Sequence, residues 1–355
     1  MTSRFALVVR HLSACMLLLA FASPATAEDT KPLRIAGSSW VADAPTKVAD
    51  QLGAFNPPGI TPVIHVVNYD SGKQALASLL AGESDFALAA STPIASELLR
   101  SAVAGEPEST FVVLASVSLS NRTHLIVANG AAGIQEPADL NGRRVGVMLD
   151  TSGHFGWQKF AEYHGLETDG ITLVDLPVAS MAGAVRDGRI DAAAIWQPWA
   201  SDLQAVLGND ARTFTTRNLY TVSWLLVTRR DVLARLPGSA ERVLKGYLEA
   251  TALIDADPRR ARLLHARAHA RDPATLEPLE AGIMWALALD WSVLADLESQ
   301  FLWIAARRGV EAQSAPAPYD YIYARPLLNV APGRVMLPAY LYASDGRSAI
   351  DGDPQ

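Results

Sequence analysis

Gly82-Glu83-Ser84-Asp85-Phe86-Ala87-Leu88-Ala89-Ala90-Ser91-Thr92-Pro93 and Gly188-Arg189-Ile190-Asp191-Ala192-Ala193-Ala194-Ile195-Trp196-Gln197-Pro198 state one pattern twice. Each copy runs Gly-x-x-Asp, an unbroken apolar stretch, then a proline, with Asp-to-Pro separations of 8 and 7. An apolar stretch without alternation reads as a strand covered on both faces, as in the middle of a parallel sheet. Ahead of the first copy, Lys73 to Ala81 carries Leu76, Leu79 and Leu80 at helical spacing. Before that, Pro62 to Val67 is a β-branched strand closed by Asn68-Tyr69-Asp70-Ser71-Gly72. A helix over Pro45 to Leu52 closes at Gly53, and a strand over Leu33 to Ala36 ends in Gly37-Ser38-Ser39-Trp40. The second copy has the same order ahead of it. Arg144 to Met148 is a strand, Asp150 to Gly153 a polar turn and Phe155 to His164 a helix stopped by Gly165. Ile171 to Asp175 is again a strand and Ser180 to Arg186 a helix. A match through five successive elements predicts two β-α-β-α-β units and hence two α/β lobes.

Between the units, the apolar runs Phe111 to Ser118 and His124 to Ala128 flank the polar Ser120-Asn121-Arg122. Thr221 to Thr228 is a similar run beyond the second unit. These are the places where the chain is expected to cross between lobes and return. Downstream the spacing predicts helices over Ser239 to Ile254, Pro258 to Ala270, Leu276 to Ala288 and Leu294 to Arg308, packed on the first lobe. From Ala315 prolines accumulate at 316, 318, 326, 332 and 338, and the last residues read as unstructured.

The 355 residues are 50% apolar, 19% charged and 7% aromatic, which suits a globular chain of about two domains. A net charge of −7 without a Lys/Arg block argues against nucleic acid or an anionic membrane as partner. One cysteine excludes an internal disulfide, a thiolate metal cluster and a C-x-x-C redox pair. Arg4 and Arg10, the apolar run Ala14 to Ala22 and Ala25-Thr26-Ala27 read as a signal peptide over residues 1–27, cut before Glu28. That run is too short to span a bilayer, so the chain is expected to be exported and soluble. Leu12-Ser13-Ala14-Cys15 resembles a lipobox, but most of the apolar run follows Cys15, against lipid anchoring there. The mature chain would hold 328 residues with a net charge of −9 and no thiol.

Signatures of catalysis are missing: there is no G-x-S-x-G, no G-x-x-x-x-G-K and no G-x-G-x-x-G. His265 and His269 share a helix face, but His-Ala-Arg-Ala-His lacks an intervening Glu and reads as a solvated face rather than a metal site. No metal and no cofactor is called for. The sequence does supply Ser/Thr/Gly turns at strand ends: Ser38-Ser39, Ser71-Gly72, Ser91-Thr92 and Thr151-Ser152-Gly153. Ligands of open α/β sheets bind outside the carboxyl ends of the strands, and helix N-termini there favour anions. An ordinary N-cap accounts for any single turn; four on two facing lobes point to a cleft lined with small donors. Trp40, Trp196, Trp199 and Trp224 lie at strand ends or crossovers, with Tyr69 and Tyr220 in adjoining turns. Trp199 reads as core, and Trp40 as a wall for a small organic ligand.

These residues resemble the solute-binding proteins of ABC importers in the aliphatic sulfonate, taurine and nitrate group, related to thiamine-pyrimidine binders. The resemblance rests on Leu33-Arg34-Ile35-Ala36-Gly37, Gly53-Ala54-Phe55, Asp70-Ser71-Gly72, Ala81 to Phe86, Thr92-Pro93, Asp139 to Val145, and Gly188 to Ala192 with Gln197-Pro198. It covers Leu33 to Asp257 well and the helical remainder loosely. It implies a periplasmic binding protein type II-like α/β fold, two lobes joined by two crossovers, with residues 28–118 and 225–355 in lobe one and 119–224 in lobe two. It implies a monomer that hands a small-molecule ligand to an ABC permease in the inner membrane. Carried over by position, the ligand-binding residues would be Ser38, Ser39, Trp40, Ser71, Ser91, Thr92, Thr151, Ser152, His154, Gln197 and Tyr220. The residue before the second proline is often acidic in this group; the neutral Gln197 suits an anion or neutral group. The expected function is therefore capture of a small anion, an aliphatic sulfonate or taurine-like compound, with nitrate or a thiamine-pyrimidine precursor as the alternative. Enzymes occur on the same scaffold. A desulfinase would need a cysteine that the mature chain lacks, and a pyrimidine synthase a Lys/His cluster for which only Lys73 and His154 are candidates. A sensory module that contacts a receptor is the third reading.

Overall fold

The computed structural model describes residues 31–105, 111–311 and 316–342. The expected leader, Cys15 and the tail beyond 342 lie outside the described residues. Eleven strands form two sheets among the described residues. The first holds β1 (Leu33–Ser38), β2 (Ile64–Tyr69), β3 (Phe86–Ala90), β4 (Phe111–Ser120), β10 (Val222–Arg229) and β11 (Ile283–Ala288), in the order β11-β4-β10-β3-β1-β2. The second holds β5 (His124–Asn129), β6 (Arg144–Val147), β7 (Thr172–Asp175), β8 (Ala192–Trp196) and β9 (Ala211–Thr215), in the order β7-β6-β8-β5-β9. In both sheets the β-α-β-α-β unit supplies three parallel strands with its first strand between the other two. In both, one antiparallel strand then pairs with the third, β10 on β3 and β5 on β8. The molecule is thus two α/β lobes joined by two crossovers, at residues 121–123 and 216–221. Asn121 donates to Asn218 across these crossovers at 3.2 Å, and Thr216 Oγ1 donates to the His124 carbonyl at 2.8 Å.

The repeated phrase has a physical basis. Every residue of β3 and β8 is buried, because helices cover both faces of each sheet. On β8, Ala193 and Ile195 join a core shared with the first lobe, while Ala192 and Ala194 join a second core around Trp157 and Phe160. The aspartates repeat one job. Asp85 Oδ2 accepts from the Arg34 backbone N–H at 2.9 Å, and Asp191 Oδ2 accepts from that of Arg144 at 2.9 Å. Each carboxylate therefore pins the third strand of its unit to the start of the first. Burial would raise the Asp191 carboxyl, but the hydrogen bonds and charge of Arg144 hold it below the usual carboxylate range. The prolines differ: Pro93 lies inside the helix Ser91–Val103, while Pro198 follows a cis bond and precedes the helix Trp199–Leu207.

One expectation changes and two further pieces fold that the sequence did not place, while the expectation for the last residues falls beyond 342, outside the described residues. Leu276 to Ala288 is not one helix: the helix Pro273–Glu280 stops before Gly282, whose φ of +86° breaks the helical path, and 283–288 form the edge strand β11. The strand β9 was not expected, because Ala-Arg-Thr-Phe-Thr is short, polar and half exposed. Residues 316–342 fold back on the first lobe as short turns and the helix Arg325–Val330, bridged at Val113–Ile322 and Leu289–Val335. Among the described residues, no helix is long and apolar enough to cross a membrane.

Asp85→Ala and Asp191→Ala should each remove a charged acceptor from a backbone N–H and lower stability by about 1–3 kcal/mol. Urea unfolding measures the loss, and the double variant should be additive because the two sites lie in separate lobes.

Candidate functional site

The first wall of the site is Trp40, and a buried network places it. Asp43 follows the β1 turn; its carboxylate accepts from the Ser38 N–H at 2.5 Å, from Thr46 Oγ1 and from Lys47 Nζ at 3.1 Å. Lys47 also donates to Asn68 Oδ1 at the end of β2, and Thr46 Oγ1 meets the Tyr247 hydroxyl at 2.8 Å. Asp43, Thr46, Lys47 and Tyr247 are all buried. Burial and the Asp43 charge push the Tyr247 phenol well above its usual range. Ser38 Oγ then accepts from the Trp40 N–H at 3.3 Å, which fixes the turn.

Trp40 faces a narrow slot between the lobes, with a cavity volume of about 10 Å³, room for one water. The first lobe contributes Trp40, Ser71, Gly72, Lys73, Ala90, Pro93 and Trp224; the second contributes Thr151, Ser152 and Trp196. Two helix N-termini meet here, those of Gly72–Leu80 and Ser152–His164. Each carries a glycine under an indole within its first two residues, Gly72 and Gly153. A Cβ on Gly72 would lie 3.0 Å from Trp224 Cη2, and one on Gly153 would lie 2.9 Å from Trp196 Cζ3. The Trp40 and Trp224 rings are 4.0 Å apart. His124 sits among Trp40, Trp196 and Tyr220, and its Nε2 is 2.9 Å from Ser152 Oγ.

The sequence-derived residues divide by position. Trp40, Ser71, Thr151 and Ser152 line the slot, and Tyr220 reaches it by donating to the Ser152 carbonyl at 3.4 Å. Ser71 is also a capping box with Gln74, and Thr151 Oγ1 donates to the Met148 carbonyl at 2.6 Å. Ser91 begins its helix near Asp296, whose carboxyl is raised by burial and accepts from Gln300 Nε2 at 3.1 Å. Thr92 Oγ1 donates to Gln300 Oε1 at 3.0 Å and ties two helices together. Ser38 stands behind Trp40, and the Ser39 N–H donates to the Tyr69 carbonyl in strand pairing. Gln197 Oε1 accepts from the Ser201 hydroxyl at 2.8 Å, a local turn contact. His154 is buried and does not line the slot; its Nδ1 accepts from the Asp150 N–H at 3.1 Å and meets Arg307 at 3.1 Å. Trp199 packs against the core as expected. His265 is buried rather than solvated: its Nδ1 meets Glu280 Oε1 at 3.0 Å, because the helix Pro273–Glu280 covers that face. No group of three or more His, Cys, Asp or Glu among the described residues could hold a metal.

Sequence reading missed three features. Lys73 was weighed only as an enzyme residue, yet it is the one cation among the slot residues, donating across the lobes to the Leu149 carbonyl at 2.8 Å. A lysine directly after a Ser-Gly cap was the available signal. His124 and the pair Arg307–Arg308 were also missed. Arg308 meets Asp150 at 3.1 Å and Arg307 meets it at 3.6 Å, joining the end of the helix Trp291–Arg308 to the second lobe. Two arginines at a helix C-terminus look like dipole compensation, so their tertiary role was invisible.

Burial lowers His124 from 6.5 to about 3. Burial, then the Arg307 charge, lowers His154 to about 4. Both are neutral when folded and take up protons more readily when unfolded. Their stabilisation is whole above about pH 6.5 and is lost as pH falls toward 4 and then 3, by up to ~1.4 kcal/mol per pH unit per histidine. Denaturation midpoints should fall over that window, and His124→Asn should flatten the dependence.

The NMT1/THI5-like family profile matches residues 42–261. A Brucella abortus chain that bears the name of a binding protein is 23% identical over 275 residues, 76% of this chain and 81% of its own length. The taurine-binding periplasmic protein of Escherichia coli is 23% identical over 196 residues, 54% of this chain and 57% of its own. The alkanesulfonate-binding protein of Xanthomonas axonopodis pv. citri, bound to MOPS, superposes with a TM-score of 0.68 at 20% identity, covering 82% of this chain and 98% of that one. The periplasmic nitrate-binding protein of Synechocystis PCC 6803 superposes at 0.65 and 14% identity, covering 88% and 91%. The fold is that of periplasmic binding proteins, the relatives named bear the names of binding proteins, and the chain belongs to the NMT1/THI5-like family.

Proposed function

We propose that this protein is the periplasmic binding component of an ABC-type importer and captures a small anion, an aliphatic sulfonate or taurine-like compound. The observation that carries this reading is Lys73 at one helix N-terminus, opposite a second helix N-terminus from the other lobe, within a slot walled by indoles. Each N-terminus contributes about 0.3–1 kcal/mol toward an anion, and each charge-assisted hydrogen bond about 1.5–3 kcal/mol. Together these approach the ~8 kcal/mol of a micromolar complex. Residues 28–118 and 225–355 would form one lobe and 119–224 the other, with a leader over 1–27 directing export. The ligand residues proposed are those at the slot: Trp40, Ser71, Thr151, Ser152 and Tyr220, with Ser38, Ser39, Ser91, Thr92, His154 and Gln197 behind or beside them. Binding without catalysis fits the His154 geometry, since its Nδ1 already accepts a hydrogen bond and its charge is suppressed.

Calorimetry of the purified protein against ethanesulfonate, taurine, nitrate and a thiamine pyrimidine tests the reading. Micromolar binding of a sulfonate is expected; binding of nitrate or the pyrimidine alone would reassign the ligand, and no binding across the panel would overturn the proposal. Native mass spectrometry would weigh any co-purified solute.

Ligand capture would proceed by hinge closure, and the Arg307–Arg308 contacts to Asp150 would favour a closed arrangement. Half-exposed pairs of this kind contribute up to ~1 kcal/mol. Asp150→Asn should therefore weaken binding by up to about fivefold through a faster off-rate, and added salt should reproduce the loss in the parent protein.

A further inference from the structure

Two indole N–H groups in the slot wall have no acceptor. Trp40 and Trp224 are 1% and 4% exposed, and neither Nε1 has a hydrogen-bond partner. Buried tryptophan normally finds one, and a buried donor left without an acceptor is costly. Trp199 and Trp303 also carry unpaired indole N–H groups, but neither lines the slot. Trp224 lies against Gly72 through Cη2 and Cζ2, and Cζ2 is bonded to the carbon that carries Nε1. The benzene edge of that ring therefore borders the start of the helix Gly72–Leu80, beside Lys73. Lys73 spends one donor on Leu149, and an ammonium has three. The remaining surfaces from Ala90, Pro93 and Trp196 are apolar.

We infer that the indole N–H groups of Trp40 and Trp224, with the Lys73 ammonium, form the first-lobe receptor for the ligand's anionic head, and that the ligand's body is uncharged. This deepens the proposed function and rests on it. A sulfonate offers three acceptor oxygens to three donors. An uncharged carbon body suits the apolar surfaces, whereas an ammonium body would be held near Lys73 and repelled. Nitrate supplies the acceptors without the body. The slot holds about one water in this arrangement, so the lobes must part for the ligand to enter.

The test uses the full-length mature protein with ethanesulfonate, taurine and nitrate. In ¹H–¹⁵N spectra of the parent, two indole resonances should move downfield on saturation with ethanesulfonate. Trp40→Phe and Trp224→Phe keep an aromatic ring and remove the N–H; each should weaken ethanesulfonate binding about 10- to 100-fold. Taurine should bind the parent about tenfold more weakly than ethanesulfonate, and nitrate more weakly still. Unmoved indole resonances, variants within twofold of the parent, or taurine bound as tightly as ethanesulfonate would overturn this inference while leaving anion capture standing. A parent that binds none of the three removes both. The indole spectra need no variant, so a folding defect in either substitution leaves the inference open to refutation.

Discussion

Lys47 and Asp43 form an ion pair with almost no solvent contact, four residues apart on the first turns after β1. Such a pair gains little net stability, since desolvating both charges roughly offsets their attraction. Its value is geometric. Asp43 is shared among the Ser38 N–H, Thr46 and Lys47, and Lys47 reaches Asn68 on the neighbouring strand. The ends of two parallel strands and the helix Ala44–Leu52 are thereby locked to one another, and Trp40 hangs from that lock. Gly37 permits it: a Cβ there would fall 2.6 Å from Lys47 Nζ. Losing one partner would strand the other charge in the core, so the pair behaves as a unit.

The second lobe reaches the slot by a lighter device. Thr151 ties back to the Met148 carbonyl, Ser152 meets His124, and Asp150 takes a positive φ that turns its carboxylate toward Arg307 and Arg308. No buried ion pair backs this turn among the described residues. The duplicated architecture is therefore asymmetric in its chemistry. One lobe holds a stiff indole wall and a cation, and the other a hydroxyl-rich turn whose position is set by contacts across the gap.

The α/β units were legible because their signals are local. Buried strands without alternation, Gly53 and Gly165 as left-handed helix ends, and Ser71 as a cap all act within a few residues. The Gly-x-x-Asp repeat was legible as a pattern, and its physical role needed the backbone contact between Asp85 and Arg34, 51 residues apart. Trp40, Ser71, Thr151 and Ser152 were readable as strand-end residues on the same grounds. His124, Lys73 and the Arg307–Arg308 pair were not, because each acts on a group 28 or more residues away. The strand β11 was lost for a different reason: an apolar run after a glycine carries no period long enough to separate strand from helix.

The two crossovers act mechanically as a pair. They are three and six residues long, lie side by side, and are stitched by Asn121–Asn218 and by Thr216 to the His124 carbonyl. A single connection would let the lobes swing and twist independently. Two adjacent, mutually bonded connections remove the twist and leave essentially one degree of freedom, a bend about the line that joins them. His124 belongs to that line and also touches the slot. On the proposed function, occupancy of the slot and the angle between the lobes would be one coordinate, which any partner could gauge from the outside without touching the ligand.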